Sequence, residues 1–265
     1  MNTPECTIDE LLRIMVRLRD PVGGCPWDRQ QTFASLVSHT LEEAYEVAET
    51  IEQGNLSLLC DELGDLLFQV VFYARIAEER GLFNFGAVVG AIVDKLVRRH
   101  PHVFGGKHGT DIEALTAAWA EQKNQERLRR GESITSLMDG VSRGLPGSTR
   151  AIKLQRRAAT VGFDWSNSSE VLAKLIEEAE ELNQAKAESA NPGRIMDEVG
   201  DLLFTCINLA RHHQVDPETA LRQANARFER RFRRMEELAT SCDTNLASLD
   251  AAQLDGLWEQ AKKEE

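Results

Sequence analysis

Apolar residues recur at intervals of three and four through nearly the whole chain, with charged residues between them. That period predicts amphipathic helices; strands would alternate apolar and polar positions. Ile8, Leu11, Leu12, Met15 and Leu18 mark a first helix over 8–19. The stretch 20–28, rich in proline and glycine, breaks it as a loop. Helices are expected next over 32–53, 56–80 and 85–100, and Pro101 stops the last of them. Asp111 is placed to cap a polar helix running to about residue 130. The segment 131–149 contains Gly131, Gly140, Gly144, Pro146 and Gly147 and reads as a linker. The helical period returns over 150–159, 171–189, 194–213 and 217–240, with Asp216-Pro217 opening the last.

The two halves repeat one another. Leu41-Glu42-Glu43-Ala44-Tyr45-Glu46 is followed by Asp61-Glu62-Leu63-Gly64-Asp65-Leu66-Leu67-Phe68. Ile176-Glu177-Glu178-Ala179-Glu180-Glu181 is followed by Asp197-Glu198-Val199-Gly200-Asp201-Leu202-Leu203-Phe204. Glu62 follows Glu43 by 19 residues, and Glu198 follows Glu178 by 20. A Trp and an Asp precede each acidic helix, in Cys25-Pro26-Trp27-Asp28 and in Gly162-Phe163-Asp164-Trp165. The chain therefore reads as all-α, with two related helical-bundle domains at 1–130 and 150–265 joined by the linker at 131–149.

Helical residues three apart share a face. Glu43 and Glu46 thus project together, as do Glu62 and Asp65 in the first copy, and Glu178 with Glu181 and Glu198 with Asp201 in the second. Gly54-Asn55 and Asn191-Pro192-Gly193 supply turns that would fold each acidic pair of helices back on itself. Four carboxylates at one spot repel each other and raise one another's pKa. A hard divalent cation relieves the repulsion, and an all-oxygen set selects magnesium, manganese or calcium. Magnesium held by few protein ligands keeps waters and commonly shares phosphate oxygens. A solvated acidic surface is the competing explanation. Against it, Asp65 and Asp201 each lead into Leu-Leu-Phe, the most hydrophobic part of its half, where an unpaired charge is costly.

Lys95 with Arg99, and Arg227 with Arg231, place a base four residues ahead of an arginine at matching points of the two copies. Both pairs are candidate phosphate ligands, because guanidinium groups suit phosphate oxygens. Arg98 and Arg230 are read as surface ion pairs or partners of the helix dipole. A cation-bound polyphosphate facing these bases is arranged for in-line attack by water. Glu42 and Glu177, beside the ligand candidates Glu43 and Glu178, are the candidate catalytic bases.

Composition narrows the reading. A net charge of −12 over 265 residues argues against broad nucleic-acid or anionic-membrane binding. The five cysteines are odd in number and lack a CxxC pair, as expected for free thiols in a reducing cytoplasm, with Cys206 placed in the core. No apolar run approaches the ~20 residues of a membrane span, and the first residues lack the pattern of a signal peptide. No Walker loop, dinucleotide fingerprint or nucleophile elbow is present.

Glu-Glu-x-x-Glu followed by Glu-x-x-Asp-Leu-Leu-Phe resembles the MazG family of nucleoside triphosphate pyrophosphohydrolases. Cys25-Pro26-Trp27-Asp28, Arg98-Arg99-His100-Pro101, Val161-Gly162-Phe163-Asp164-Trp165, Asn208-Leu209-Ala210-Arg211 and Asn225-Ala226-Arg227-Phe228 extend the resemblance over nearly the whole chain. It implies an all-α homodimer that cleaves NTPs and dNTPs between the α and β phosphates, with magnesium as cofactor and manganese as a substitute. It implies metal ligation by Glu178, Glu181, Glu198 and Asp201, with Glu43, Glu46, Glu62 and Asp65 as the N-terminal counterparts. Lys174, Arg194, Arg227, Arg231 and Trp258 are implied to hold the nucleotide, and the C-terminal copy to dominate turnover. The implied role is nucleotide-pool housekeeping or a stress response. Two rivals are a helical interaction protein with vestigial metal sites and a dUTP-type pyrophosphatase of the same superfamily. A di-iron site is excluded by the lack of Glu-x-x-His pairs.

Overall fold

The structure, a computed structural model, describes residues 7–105, 122, 125, 126, 131, 135–187 and 192–265. The chain divides into two compact units, Met1–Glu126 and Arg127–Glu265. The described residues contain helices and no strand, in agreement with the all-α expectation. The polar helix expected over 111–130 lies outside the described residues, apart from Gln122, Gln125 and Glu126, and so do Cys6 and the turn residue Asn191.

The first unit carries α1 (Ile8–Leu18), α2 (Pro26–Gln30), α3 (Val37–Glu52), α4 (Leu59–Glu79), α5 (Phe85–Arg99) and α6 (Pro101–Phe104). α3 and α4 pack on each other, and α1 and α5 pack on α4. The short connection between α3 and α4 turns at Gly54, whose φ of +70° is strained for any residue with a Cβ. Asn84 caps α5 by accepting the Ala87 amide at 3.0 Å.

Some of the bounds differ from expectation. The 20–28 loop yields to a short helix, α2, because Pro26 sits at a first-turn position and needs no amide partner. α3 begins at Val37 instead of residue 32. Thr32 and Ser35 bond each other's backbone amides at 2.9 and 3.2 Å, which holds a turn ahead of the helix. Pro101 ends α5 as expected but also starts α6, where a proline's missing N–H costs nothing.

The core of this unit is Met15, Leu36, Val71, Phe72 and Ile76. Arg19 closes it. Its guanidinium lies 5.3 Å from the centre of the Phe72 ring, pairs with Glu79 at 2.7 Å and bonds the Asp28 carbonyl, so that α1, α2 and α4 are tied at one point.

The second unit carries α7 (Gly147–Ala159), α8 (Ser168–Ala187), α9 (Pro192–His212), α10 (Pro217–Ser241), a 3-10 turn at Leu246–Ser248 and α11 (Ala251–Lys263). α8 and α9 pack as α3 and α4 do, α7 lies against α9 and α10, and α11 lies on α10. α7 starts inside the stretch read as linker, with the Arg150 amide on the Pro146 carbonyl at 2.9 Å. α11 was not expected. Asp250 and Gln253 form a reciprocal capping box that starts it. Asp216 caps α10 through the Thr219 amide at 2.9 Å, with Pro217 in the first turn. Cys206, expected in the core, is exposed: it lies on the face of α9 away from the buried Thr205 and Asn208. Among the described residues no helix is long and apolar enough to cross a membrane.

Phe72 is 0% exposed and central to the first core. Phe72→Ala is expected to destabilise the N-terminal unit by about 3–5 kcal/mol, read from the urea midpoint.

Candidate functional site

The α3–α4 and α8–α9 pairs each bring three carboxylates together. Oxygens of Glu43, Glu62 and Asp65 lie within 4.8 Å of one another, and so do those of Glu178, Glu198 and Asp201. In each trio the second helix supplies two groups three residues apart, and the first helix supplies one. Glu46 and Glu181, expected as fourth ligands, fall outside these trios. Both remain within electrostatic reach: Glu46 helps to raise the pKa of Glu43 and of Glu62.

Burial is the main cause of the raised Glu43 pKa, followed by the charge of Asp65. Burial also leads for Glu62, with Glu46 next. On Glu181 the strongest single influence is Lys174, which pulls the pKa down. Burial and the charges of Glu178 and Glu198 together outweigh it, and the pKa is raised. These shifts express burial together with the crowding expected of unneutralised carboxylates.

The two trios differ in what surrounds them. Glu178 is only 6% exposed, and Lys174 reaches it at 3.0 Å and Glu177 at 2.7 Å. The two carboxylates hold the Lys174 ammonium well above its usual pKa. Arg194 stands 3.8 Å from Glu198. Four residues before Glu43 and Glu62, where the second copy has Lys174 and Arg194, the first has His39 and Leu58. The N-terminal trio is met instead by a neutral amide, Gln69, which donates to Glu43 at 3.3 Å.

The candidate bases Glu42 and Glu177 are exposed and outside the trios. Glu42 lies 3.7 Å from His39, and Glu177 is paired with Lys174. The predicted basic residues lie at the ends of other helices. Arg98 and Arg99 both bond Glu126, at 2.6 Å each. Arg230 and Arg231 both bond Glu265, at 2.6 and 2.7 Å. Arg231 also lies 5.8 Å from the Trp258 ring, which packs on Phe228 at 5.4 Å. Trp258 is thereby fixed on α11, against α10. Lys95 is half-buried on α5 and Arg227 exposed on α10, each one turn before its arginine. The structure unites Lys174, Arg194 and the C-terminal trio, while Arg231 and Trp258 make their contacts within α10, α11 and the residues that follow.

A cavity of about 330 Å³ adjoins the C-terminal trio, with Lys174, Glu178, Asp201, Phe163, Trp165 and Asn208 in its wall. Behind it Asp164 takes the Arg211 guanidinium through two contacts, one of 2.9 Å, and its pKa falls chiefly for that reason. Sequence reading placed no role on Asn208 or Arg211. The available signal was an amide and a guanidinium three residues apart in an otherwise apolar run.

Comparison with known proteins follows the same division. The family model of the MazG nucleotide pyrophosphohydrolase domain matches residues 31–104, and that of phosphoribosyl-ATP pyrophosphohydrolase matches residues 149–228. The nucleoside triphosphate pyrophosphohydrolase of Escherichia coli K12 is 44% identical over 259 residues, 97% of this chain and 98% of that protein. The nucleoside triphosphate pyrophosphohydrolase/pyrophosphatase MazG of Thermotoga maritima is 42% identical over 254 residues, covering 96% of this chain and 95% of the relative. The nucleoside triphosphate pyrophosphohydrolase of Mycobacterium tuberculosis is 37% identical over 166 residues, 62% of this chain and 49% of that protein.

Glu126 is buried between Arg98 and Arg99, whose hydrogen bonds hold its carboxyl at about 2. A depressed carboxyl stabilises the fold above its unfolded pKa and loses that effect as pH falls through the folded value. Glu126→Gln should therefore cost about 2 kcal/mol at pH 7, allowing for the exposure of Arg98. The difference from the parent should close as pH falls from the ordinary carboxyl range toward 2, which urea titrations across that range will read.

Proposed function

The chain belongs to the MazG family of nucleoside triphosphate pyrophosphohydrolases, and we propose on that premise that its C-terminal acidic site performs the hydrolysis with magnesium. NTPs and dNTPs are cut to the monophosphate and pyrophosphate, which clears triphosphates from the nucleotide pool. The observation that carries the assignment is the buried Glu178. It joins Glu198 and Asp201 with Lys174 alongside, at the wall of a cavity with polar and aromatic lining.

The residues fit a hard cation. Three carboxylates converge with oxygen donors only, and burial with the neighbouring carboxylates raises the pKa of the nearby Glu181 against the pull of Lys174. Glu178, Glu198 and Asp201 would hold magnesium, or manganese in its place, with Glu181 able to join. The ion supplies charge neutralisation for the phosphates and for the charge that develops in attack by water. Lys174 and Arg194 add positive charge at the same place, and Arg227, Arg231 and Trp258 are assigned to holding the nucleotide. Glu177, linked to Lys174, is exposed enough to exchange a proton with solvent and is assigned to orient or deprotonate the attacking water.

The N-terminal trio of Glu43, Glu62 and Asp65, with Glu46 beside it, is assigned metal binding without comparable turnover. His39 and Leu58 stand there in place of the two cations. Its Glu42 and Lys95 thus keep the family pattern without the neighbours that the chemistry uses.

A homodimer is part of the proposal. α5 buries none of its residues, and Val89, Ile92, Val93, Leu96 and Val97 are all exposed on it. A run of this size on one helix is expected to be covered by a second copy. Free thiols in the described residues accord with a cytoplasmic setting.

With magnesium, the protein is expected to release pyrophosphate and monophosphate from a panel of NTPs and dNTPs; orthophosphate as the product overturns the cleavage position. Chelation should abolish the activity and magnesium restore it. Glu178→Ala should lower kcat/KM by at least about a hundredfold, while Glu43→Ala should leave most of it. The opposite ranking assigns turnover to the N-terminal copy. Light scattering that gives the mass of a single chain removes the dimer.

A further inference from the structure

The cavity beside the C-terminal trio extends along α9 from Asp201 to Arg211, a rise of about 15 Å. Asp201 sits at the carboxylate end. Asn208 lies seven residues further, two turns along on the same face, and is 9% exposed. Its amide orientation is fixed by its neighbour. Arg211 donates to the Asn208 Oδ1 from Nε at 3.1 Å and from Nη2 at 2.6 Å. A guanidinium has no acceptor, so the oxygen of Asn208 must face it and the NH2 group must face away. Arg211 is itself clamped by Asp164. Among the described residues the Asn208 NH2 group has no hydrogen-bond partner, although its residue lines the cavity.

A second amide in the same wall is half satisfied. Gln155, 6% exposed, donates its Nε2 to the Phe204 carbonyl at 2.9 Å, and its Oε1 has no partner. Phe204 precedes Asn208 by four residues, so the two amides stand about one turn apart on one face of α9. One leaves a donor unused and the other an acceptor. Burying the Gln155 oxygen without a partner costs free energy that a ligand donor recovers, and the Asn208 NH2 group is free to donate to the same ligand.

The first copy lacks the Asn208 amide; its own half-satisfied amide, Gln69, donates to Glu43 at 3.3 Å and leaves its Oε1 without a partner. Glu62, Asp65, Phe68 and Phe72 match Glu198, Asp201, Phe204 and Asn208, each 136 residues further on. Where the second copy has Asn208, the first has Phe72, sealed in its core. Arg75, at the place of Arg211, pairs with Glu78 and Glu79.

We propose that this cavity receives the nucleobase, with Asn208 as the residue that reads it and Arg211 and Asp164 as positioning residues that hold its NH2 outward. The proposal rests on hydrolysis at the Glu178 trio. Every common base carries acceptors on its edge for that NH2 group, and most carry a neighbouring donor that suits Gln155. Recognition of this kind demands a base without selecting one. Phe163, Trp165 and Phe204 supply apolar wall for the ring.

The test compares ATP, CTP, GTP and UTP with ribose 5-triphosphate, which has no base, on the full chain with magnesium. Asn208→Ala should raise KM for all four nucleotides about tenfold, the worth of a hydrogen bond to a buried group. It should leave kcat within about twofold and ribose 5-triphosphate unaffected. Arg211→Lys should move KM the same way by freeing the amide, and Asn208→Leu serves if the alanine variant does not fold. An equal loss on ribose 5-triphosphate, or unchanged KM for all four nucleotides, overturns the assignment alone. Failure of the parent protein to cleave any nucleotide overturns the hydrolysis reading, and this assignment with it.

Discussion

Mutual repulsion of carboxylates is the constraint on which the rest depends. A trio within 4.8 Å does not gather by itself; two helices with apolar inner faces must force it together. In the second unit Val171 is sealed at the start of α8, and Ala185 near its end lets the helices approach closely. The carboxylates lie between these points. Helix packing thus stores an electrostatic cost that protons, cationic side chains or a metal ion can offset. Burial and mutual repulsion raise the pKa values of Glu43, Glu62 and Glu181, the direction in which protons answer that cost. Lys174 and Arg194 show the second in one copy only.

The duplication makes that difference informative. Both copies keep the scaffold, with an acidic helix, a tight turn and Glu-x-x-Asp before Leu-Leu-Phe. The first has invested its surroundings in stability. Phe72 completes an apolar core, Arg19 ties three helices over it, and Glu126 binds two arginines. The second keeps an amide where that phenylalanine stands and leaves a cavity. The Asn208 amide beside the carboxylates, where the first copy has the sealed Phe72, marks the unit that keeps room for a site.

Helix content, the order of the elements and both acidic trios were legible in the sequence because each rests on short-range periodicity: i, i+3 for Glu62 with Asp65, and an apolar repeat for α4 and α9. The bounds that differed were set by local side-chain bonds, as at Thr32 and Ser35, or by proline at a first turn, as at Pro26. α11 has its signals in the sequence too, in Asp250, Gln253 and the spacing of Leu254, Leu257, Trp258 and Ala261. The contrast between Lys174 and His39, and between Arg194 and Leu58, was also present in the aligned repeats. The clamp of Glu126 on Arg98 and Arg99 was not legible, since it spans 27 residues and depends on where one helix end meets another segment. The Asp164–Arg211 pair is longer still, at 47 residues.

One helix carries much of the second site, and this explains why its polar positions fall where they do. Asp201, Thr205 and Asn208 follow the i, i+4, i+7 spacing of a single face, while Leu202, Leu203 and Ile207 occupy the positions between them. A rigid helix fixes the distance between the group that answers a phosphate and the group that answers a base, without relying on a loop. Loops enter only at the far end, where Asp164 fixes Arg211 and so the amide. The two chemistries are thereby coupled through geometry alone. A shift of α9 along its axis would move both, and a change at Asp164 would turn one amide and leave the carboxylates in place. Recognition of a base and chemistry at the phosphate are thus separable by single substitutions, although one helix positions both.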